Sequence, residues 1–421
     1  MNWIREKIAH RLGGRQFDQS GAYKFEMIQT LKEQTQQRFP HLPCLDFGIG
    51  EPDACAHPSV IESLREACEK YKYEYRGYAN NGADFFKAAV THYMQTTFEV
   101  ALRASDEVLP ILGIKSGLTL LAGTLINPKD LVVCPLPSYP VFPMQTQYLG
   151  GQVLTLPLVP QNHFLPDFEQ IPENLRHLIK CCLLNYPNNP TGACASRKFF
   201  ETVIEWAQRY HWIIIHDAAY AALNFKAPLS ILSIPGAKSC SVELHSMSKG
   251  FNMTGWRLGW ICGNETLIKA CAKFKSNSDS GQYLAIQHAA TTALQRADQI
   301  VPINIERYQR RIQRLILILQ QTGFQVYIPQ GGFFVYTRAP NKIFNTLGQC
   351  VANFSNASVC THWLLEHLNI VTVPWDECGS FLRFSVTFEA SSPEQEDNFF
   401  FQLTQRLSPY RFDYCKNDPK M

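Results

Sequence analysis

The sequence predicts an α/β fold, with a large domain built on a parallel sheet followed by a smaller α+β domain. Three observations carry this. The chain has 421 residues, more than one ordinary core organises, so more than one domain is expected. Its middle part alternates short apolar runs with helical patterns, the way strands with helical crossovers read. Beyond the long helical stretch ending near Gln321, the pattern changes to hairpin-like pairs of short runs.

Taken in order, strands are expected at Leu131–Cys134, Lys180–Leu184, Trp212–His216, Ser241–His245 and Leu258–Cys262. A helix is expected over Ser116–Leu125, opened by LGIKSGL at 112–118. Another covers Ser196–Tyr210, where Ser196 is a natural N-cap and Phe200, Val203, Ile204 and Ala207 form an apolar stripe. Pro302–Gln321 reads as a long helix ended by Gly323. Phe324–Ile328 and Phe333–Thr337 then form a hairpin around Pro329-Gln330-Gly331-Gly332. A helix near Thr361–His367, strands at Ile370–Val373 and Phe381–Val386, and a helix over Pro393–Leu407 follow. The expected division is an N-terminal segment at 1–50 packing with the small domain, a large domain at 51–310 and a small domain at 311–421.

Composition excludes several classes. Apolar residues make up 46% and charged residues 18% of the chain, the mix of a packed globular protein. A net charge of +3 with no dense Lys/Arg block leaves no footprint for nucleic acid. The 14 cysteines include no C-x-x-C pair, which speaks against a metal site and for reduced, buried thiols. The longest aliphatic run, Leu315–Leu319, is far short of the ~20 residues needed to cross a bilayer. The basic N-terminus MNWIREKIAHRLGGR lacks the apolar stretch of a secretory signal, so a cytoplasmic location is expected, with a transit peptide the alternative.

The chemistry concentrates in SMSKGFNMTGWRLGW at 246–260. Lys249 stands between two apolar strands, with hydroxyls at Ser246 and Ser248 and Arg257 eight residues on. Small residues let backbone amides approach an anion, and arginine offers a bidentate fork for phosphate. By itself the segment reads equally as a phosphate site or as a solvated lysine in a polar loop.

This segment resembles the lysine signature of the fold-type-I pyridoxal-phosphate aminotransferases. NYPNNPTG (185–192), HDAAYAAL (216–223), PSYPVF (137–142) and LRFSVTF (382–388) match that family's other motifs in the same order, from DFGIGEPD at 46–53 to the terminal helix. The resemblance implies a mostly parallel seven-stranded sheet with helices on both faces. It implies pyridoxal 5'-phosphate held by Lys249 as a Schiff base, with the freed amine as general base. Asp217 is then the partner of the ring nitrogen, whose proton makes the ring an electron sink. Asn189 and Tyr220 donate to the ring's phenolic oxygen, and Tyr139 stacks on its face. Ile114 and Lys115 at a helix start, together with Ser246, Ser248 and Arg257, surround the phosphate. Tyr78 in YRGYANNG is similar to the tyrosine that reaches the phosphate from the neighbouring subunit, which implies a homodimer with shared active sites. Arg383, a charge in an apolar strand that needs a carboxylate partner, receives the substrate α-carboxylate beside Gly50.

The reaction implied is ping-pong transamination between an amino acid and a 2-oxo acid, with 2-oxoglutarate the expected acceptor. RGY before a Gly-containing turn, DAAYA, and the Asn in KSNSDSGQ resemble the LL-diaminopimelate aminotransferases of lysine and peptidoglycan precursor synthesis. In that branch Tyr23, Lys115 and Asn277 line the substrate pocket, joined by Tyr139 and Asn189. The acidic residue that follows RGY in some members is absent here, where Ala79-Asn80-Asn81 stand, and Asp279 is a possible substitute. Aspartate, aromatic or broad-range transamination, or C–S β-lysis on the same cofactor cup, are the alternatives. No metal is expected. An aminotransferase-like transcription regulator is disfavoured, because only 45 residues precede Asp46.

Overall fold

The computed structural model describes residues 3–18, 24–38 and 41–414. The chain divides into two compact units. One comprises Glu51–Arg311 and Pro329–Phe334; the other comprises Met1–Gly50, Ile312–Ile328 and Val335–Met421.

The first unit is built on a seven-stranded sheet. Its spatial order is Val108–Ile111, Gly259–Gly263, Ser241–Ser246, Ile213–Asp217, Ile179–Asn185, Leu131–Leu136 and Gln152–Pro157. Six strands run the same way, and Gly259–Gly263 runs antiparallel to both of its neighbours. A parallel sheet covered on both faces buries whole strands, which is why these segments read as continuous apolar runs. Every residue of Val108–Ile111 and of Gly259–Gly263 is buried.

The two strands that pattern reading missed, Val108–Ile111 and Gln152–Pro157, are the two edges of this sheet. Both carry a proline, Pro110 and Pro157, a residue that argues against a strand from sequence and that sheets tolerate at their edges. The first helix after the sheet begins also opens earlier than expected, at Ile114 rather than Ser116. It lies tight on the sheet through Gly117, where a Cβ would come within 2.5 Å of Ile111 and 2.9 Å of Leu244. The long helix runs Ala297–Gln321 with Pro302 inside it, so the proline does not mark its start. Ser196 caps its helix as expected, accepting the Phe199 N–H at 3.2 Å.

Inside the sheet Glu243 is fully buried between His216 (2.8 Å) and His245 (2.6 Å), with the Ser230 hydroxyl at 2.7 Å and the Ile231 N–H at 2.9 Å. Burial alone would raise its pKa, but the charge of His245 and the hydrogen bonds from His216 and His245 hold it well below the usual carboxylate range. This polar network ties two neighbouring central strands, Ile213–Asp217 and Ser241–Ser246, to the turn at Ser230–Ile231.

The second unit holds three small sheets. Leu45–Asp46 pairs in parallel with Ile370–Val371. Val373–Trp375, Phe381–Ser385, Phe334–Arg338 and Val326–Tyr327 form an antiparallel sheet in that order. The run expected as one strand, Ile370–Val373, is therefore split and serves two sheets. The third sheet, Cys350–Asn353, Lys342–Asn345 and Tyr410–Asp413, was not expected, since its strands are largely exposed and bury little beyond the Ile343–Phe412 pair. Ala357–Leu368 and Pro393–Leu407 are its main helices besides Lys24–Arg38.

Among the described residues no helix is long and apolar enough to cross a membrane. No cluster of His, Cys, Asp or Glu among them could hold a metal ion.

Candidate active site

The motif loops meet because strand direction puts them there. LGIKSGL follows Val108–Ile111, PSYPVF follows Leu131–Leu136, NYPNNPTG begins on the last residue of Ile179–Asn185, Asp217 ends its strand, and SMSK begins on the last residue of Ser241–Ser246. All lie at the carboxyl ends of strands, the edge where open α/β sheets bind ligands. Register makes the alignment specific: Asn185 pairs with Asp217, and Asp217 with Leu244.

Asp217 is buried, and its Oδ1 accepts the Ala219 N–H at 3.1 Å. Burial pushes its pKa up to about 6, against the Ala219 N–H and the charges of His216 and Lys249, which pull it down. Asn185 spans the neighbouring strand ends, donating to the Asp217 carbonyl at 2.9 Å and accepting the Asn189 N–H at 2.9 Å. It thereby fixes Asn189 relative to Asp217. Asn188 reaches the Pro137 carbonyl at 3.4 Å, joining that loop to the one bearing Tyr139. Tyr139 is half-buried against the apolar cluster under the sheet edge.

Lys249 sits in a helical turn, Met247–Gly250, whose N-cap Ser246 accepts the Ser248 N–H at 3.0 Å. Its ammonium lies 5.9 Å from the Tyr220 ring centroid and 5.7 Å from that of Phe333. Phe333 also meets Tyr220 edge-on, at 5.4 Å and 82°. Nothing in the sequence marked Phe333, because it comes from a segment over 80 residues further along the chain. Gly250 lets the lysine turn close on the Tyr220 segment, since a Cβ there would stand 2.7 Å from Ala222. Behind the turn, Asn304 donates to the Gly250 carbonyl at 2.9 Å and accepts from Asn252 at 3.0 Å.

An anion cup forms at the start of the Ile114–Leu125 helix. Gly113, its N-cap, has φ +82°, and no side chain caps the first turn, so the amides there are turned outward. Arg257 crosses over it, donating to the Thr254 carbonyl at 2.8 Å and the Leu112 carbonyl at 3.4 Å. A Cβ on Gly113 would fall 2.5 Å from Arg257 Nη2. Ile114 buries its side chain in the core cluster, so only its backbone faces the cup, while Lys115 is exposed. Helix dipole, amides and guanidinium make a setting for an anion such as phosphate.

Other expected residues lie elsewhere. Arg383 belongs to the second unit, is buried, and donates to the Gly48 carbonyl at 2.9 Å, two residues from Gly50. The same strand and its extension clasp that segment through Ser385 N–H to Phe47 O (2.7 Å) and Thr387 Oγ1 to Ile49 O (2.7 Å). Tyr78 is 89% exposed. Asn277 is exposed, and its side-chain amide donates to Lys273 O and Ser276 Oγ at 3.4 Å each. Tyr23 lies outside the described residues. Asp279 is not a carboxylate awaiting a substrate ammonium, because it is ion-paired to Lys275 and accepts the Gly281 N–H at 2.8 Å.

Residues 43–398 match the family described as aminotransferase class I and II. This chain belongs to that family. Among the aminotransferases it resembles are the LL-diaminopimelate aminotransferases of Methanocaldococcus jannaschii, 40% identical over 94% of this chain and 95% of the relative, and of Methanococcus maripaludis, 39% identical over 98% and 99%. Among solved structures, BacF of Bacillus subtilis superposes with a TM-score of 0.83 at 29% identity, covering 93% of this chain and 97% of that one. An aspartate aminotransferase of Thermus thermophilus shares the fold, with a TM-score of 0.82 at 22% identity over 95% and 99% of the two chains. As an aminotransferase the chain moves an amino group between an amino acid and a 2-oxo acid.

Proposed function

We propose that this aminotransferase uses pyridoxal phosphate, carried on Lys249, to transfer an amino group from LL-2,6-diaminopimelate to 2-oxoglutarate. The carrying observation is the convergence of Asp217, Asn189, Tyr220 and Lys249 with the Gly113–Arg257 anion cup along one sheet edge. The residues fit the cofactor. A buried carboxyl with one backbone N–H partner suits a cationic ring nitrogen, and the Gly113 cradle suits a phosphate. The substrate assignment rests on the names of the relatives, which align with nearly the whole chain.

When bound, pyridoxal phosphate supplies an electron sink for the pair left when the donor loses its Cα proton. Asp217 holds a proton at the ring nitrogen, and the buried setting that raises its pKa when alone makes the ion pair strong. Asn189 and Tyr220 would hold the phenolic oxygen and Tyr139 the ring face, and the amides of Ile114 and Lys115, with Ser246, Ser248 and Arg257, would hold the phosphate. Lys249 would anchor the group and, once displaced by the donor, its freed amine would act as the base that takes and returns the donor's Cα proton. Phe333 and Tyr220 flank its ammonium with ring faces. Arg383, supported by the Gly48 carbonyl, is assigned the α-carboxylate together with Gly50. Lys115, Tyr23 and Asn277, with Tyr78 of a second copy in a homodimer, complete the assignment.

A coupled assay with 2-oxoglutarate tests this. Glutamate-linked turnover of LL-diaminopimelate is expected to exceed that of aspartate, tyrosine and alanine by tenfold or more. Turnover confined to the last three overturns the substrate. Pyruvate and ammonia formed without glutamate overturn transamination in favour of β-lysis.

A further inference from the structure

Lys275 ends the helix Glu265–Lys275 with its side chain 1% exposed, and buried ammonium groups persist only where they are paired. Its Nζ donates to the Asn80 carbonyl at 2.5 Å, 195 residues away, and is ion-paired to Asp279. The same Asp279 oxygen accepts the Gly281 N–H at 2.8 Å. Gly281 has φ +82°, and a Cβ on it would lie 2.1 Å from the Ala79 carbonyl, so the two loops touch backbone to backbone.

A second anchor lies beside the first. Gln287, fully buried, accepts the Ala83 N–H at 2.8 Å and donates to the Gln282 carbonyl at 2.7 Å. Gln282 in turn donates to the carbonyls of Trp256 (2.5 Å) and Arg257 (3.0 Å), the turn that carries the phosphate arginine. The loop bearing Tyr78, the loop bearing Asn277 and the Arg257 turn are thus joined by one polar strut whose buried groups are hydrogen-bonded.

We infer that Lys275 is a positioning residue. It holds the exposed Tyr78 and Asn277 loops as one rigid platform, which presents them to the active site of a second copy of this chain. The inference rests on the function proposed above and deepens it. Rigid placement matters because a misplaced contact to phosphate or substrate loses most of its effect. Losing Lys275 frees only the Ala79–Asn80 end, since Gln287 still holds Ala83; the fold survives and the platform loosens.

The test compares wild type, Lys275→Met and Asp279→Asn, the last serving if the first does not fold. The readouts are the dissociation constant for pyridoxal phosphate, from absorbance titration of the apoenzyme, and KM and kcat for the amino donor. Expected are rises of tenfold or more in both the dissociation constant and KM, with kcat within threefold of wild type. A mixed dimer of one Lys249→Ala subunit and one Lys275→Met subunit is expected to recover the wild-type KM, because its one competent site faces an intact platform. A KM that stays raised in the mixed dimer overturns the inference, as do variants within twofold of wild type or a loss in kcat alone. A wild-type chain that binds no pyridoxal phosphate overturns the function proposed above and this inference with it.

Discussion

At Asp217 a carboxyl group sits where water cannot reach it, and the consequences can be measured without turnover. Its folded pKa of about 6 lies above the ordinary 3.8, so the native apoprotein binds the proton more tightly than the unfolded chain does. Stability is therefore undiminished below the unfolded value, falls as pH rises between the two, and stays lower above about 6. The shift corresponds to about 3 kcal/mol at pH 7. Asp217→Asn is expected to raise the apoprotein's thermal midpoint at pH 7 and to leave it unchanged near pH 3.5. With pyridoxal phosphate added the order reverses, because the variant loses the charge facing the ring nitrogen. Melting curves at both pH values, with and without cofactor, decide it; an apo variant no more stable than wild type at pH 7 refutes the account. The core thiols make a second residue-scale case. Burial raises the pKa of Cys134 and Cys262 far above normal, and that of Cys181 to about 12. Native protein treated with iodoacetamide is expected to leave these three and Cys182 unlabelled, and urea to expose all four; labelling in the native state refutes this.

Elements place these residues, and the Ile114–Leu125 helix shows how little freedom remains. Gly113 is required twice there, for its φ of +82° and for the guanidinium 2.5 Å from where a Cβ would stand. Gly113→Ala is expected to weaken pyridoxal-phosphate binding by tenfold or more, since both the outward amides and Arg257 must shift. An unchanged titration midpoint rules that out. Ser196→Ala, at a helix start remote from the motif loops, is expected to cost about 1 kcal/mol of stability without altering cofactor affinity. Chemical denaturation together with the same titration separates the two effects. Elements with strong local signals were legible in the sequence: the Ser196 cap, the stripe beneath it, and the five interior strands rich in branched residues. Edge strands with proline and the exposed three-stranded sheet were not, because their pairing is decided by neighbours rather than by pattern.

On the scale of the whole molecule, the assigned cofactor contacts from Ile114 to Arg257 fall within the unit formed by Glu51–Arg311 and Pro329–Phe334. A ligand bound only by the native state adds about 2.7 kcal/mol at a hundred times its dissociation constant. Calorimetry of apo and reconstituted protein is therefore expected to show a cofactor-dependent rise in a thermal transition; identical scans would exclude cofactor binding by the folded unit. The sequence by itself determined the family, because the motifs that carry the likeness are side chains at short, local spacings. Only the tertiary structure decided that Asn185 bridges to Asp217, that Phe333 flanks Lys249, that Glu243 is shared by two histidines, and that Lys275 has already claimed Asp279. The contacts of Asn185 with Asp217 and of Glu243 with His216 join residues 32 and 27 apart. No local spacing encodes these two, because they arise when strand order and register bring buried polar groups together and burial forces each to find a partner.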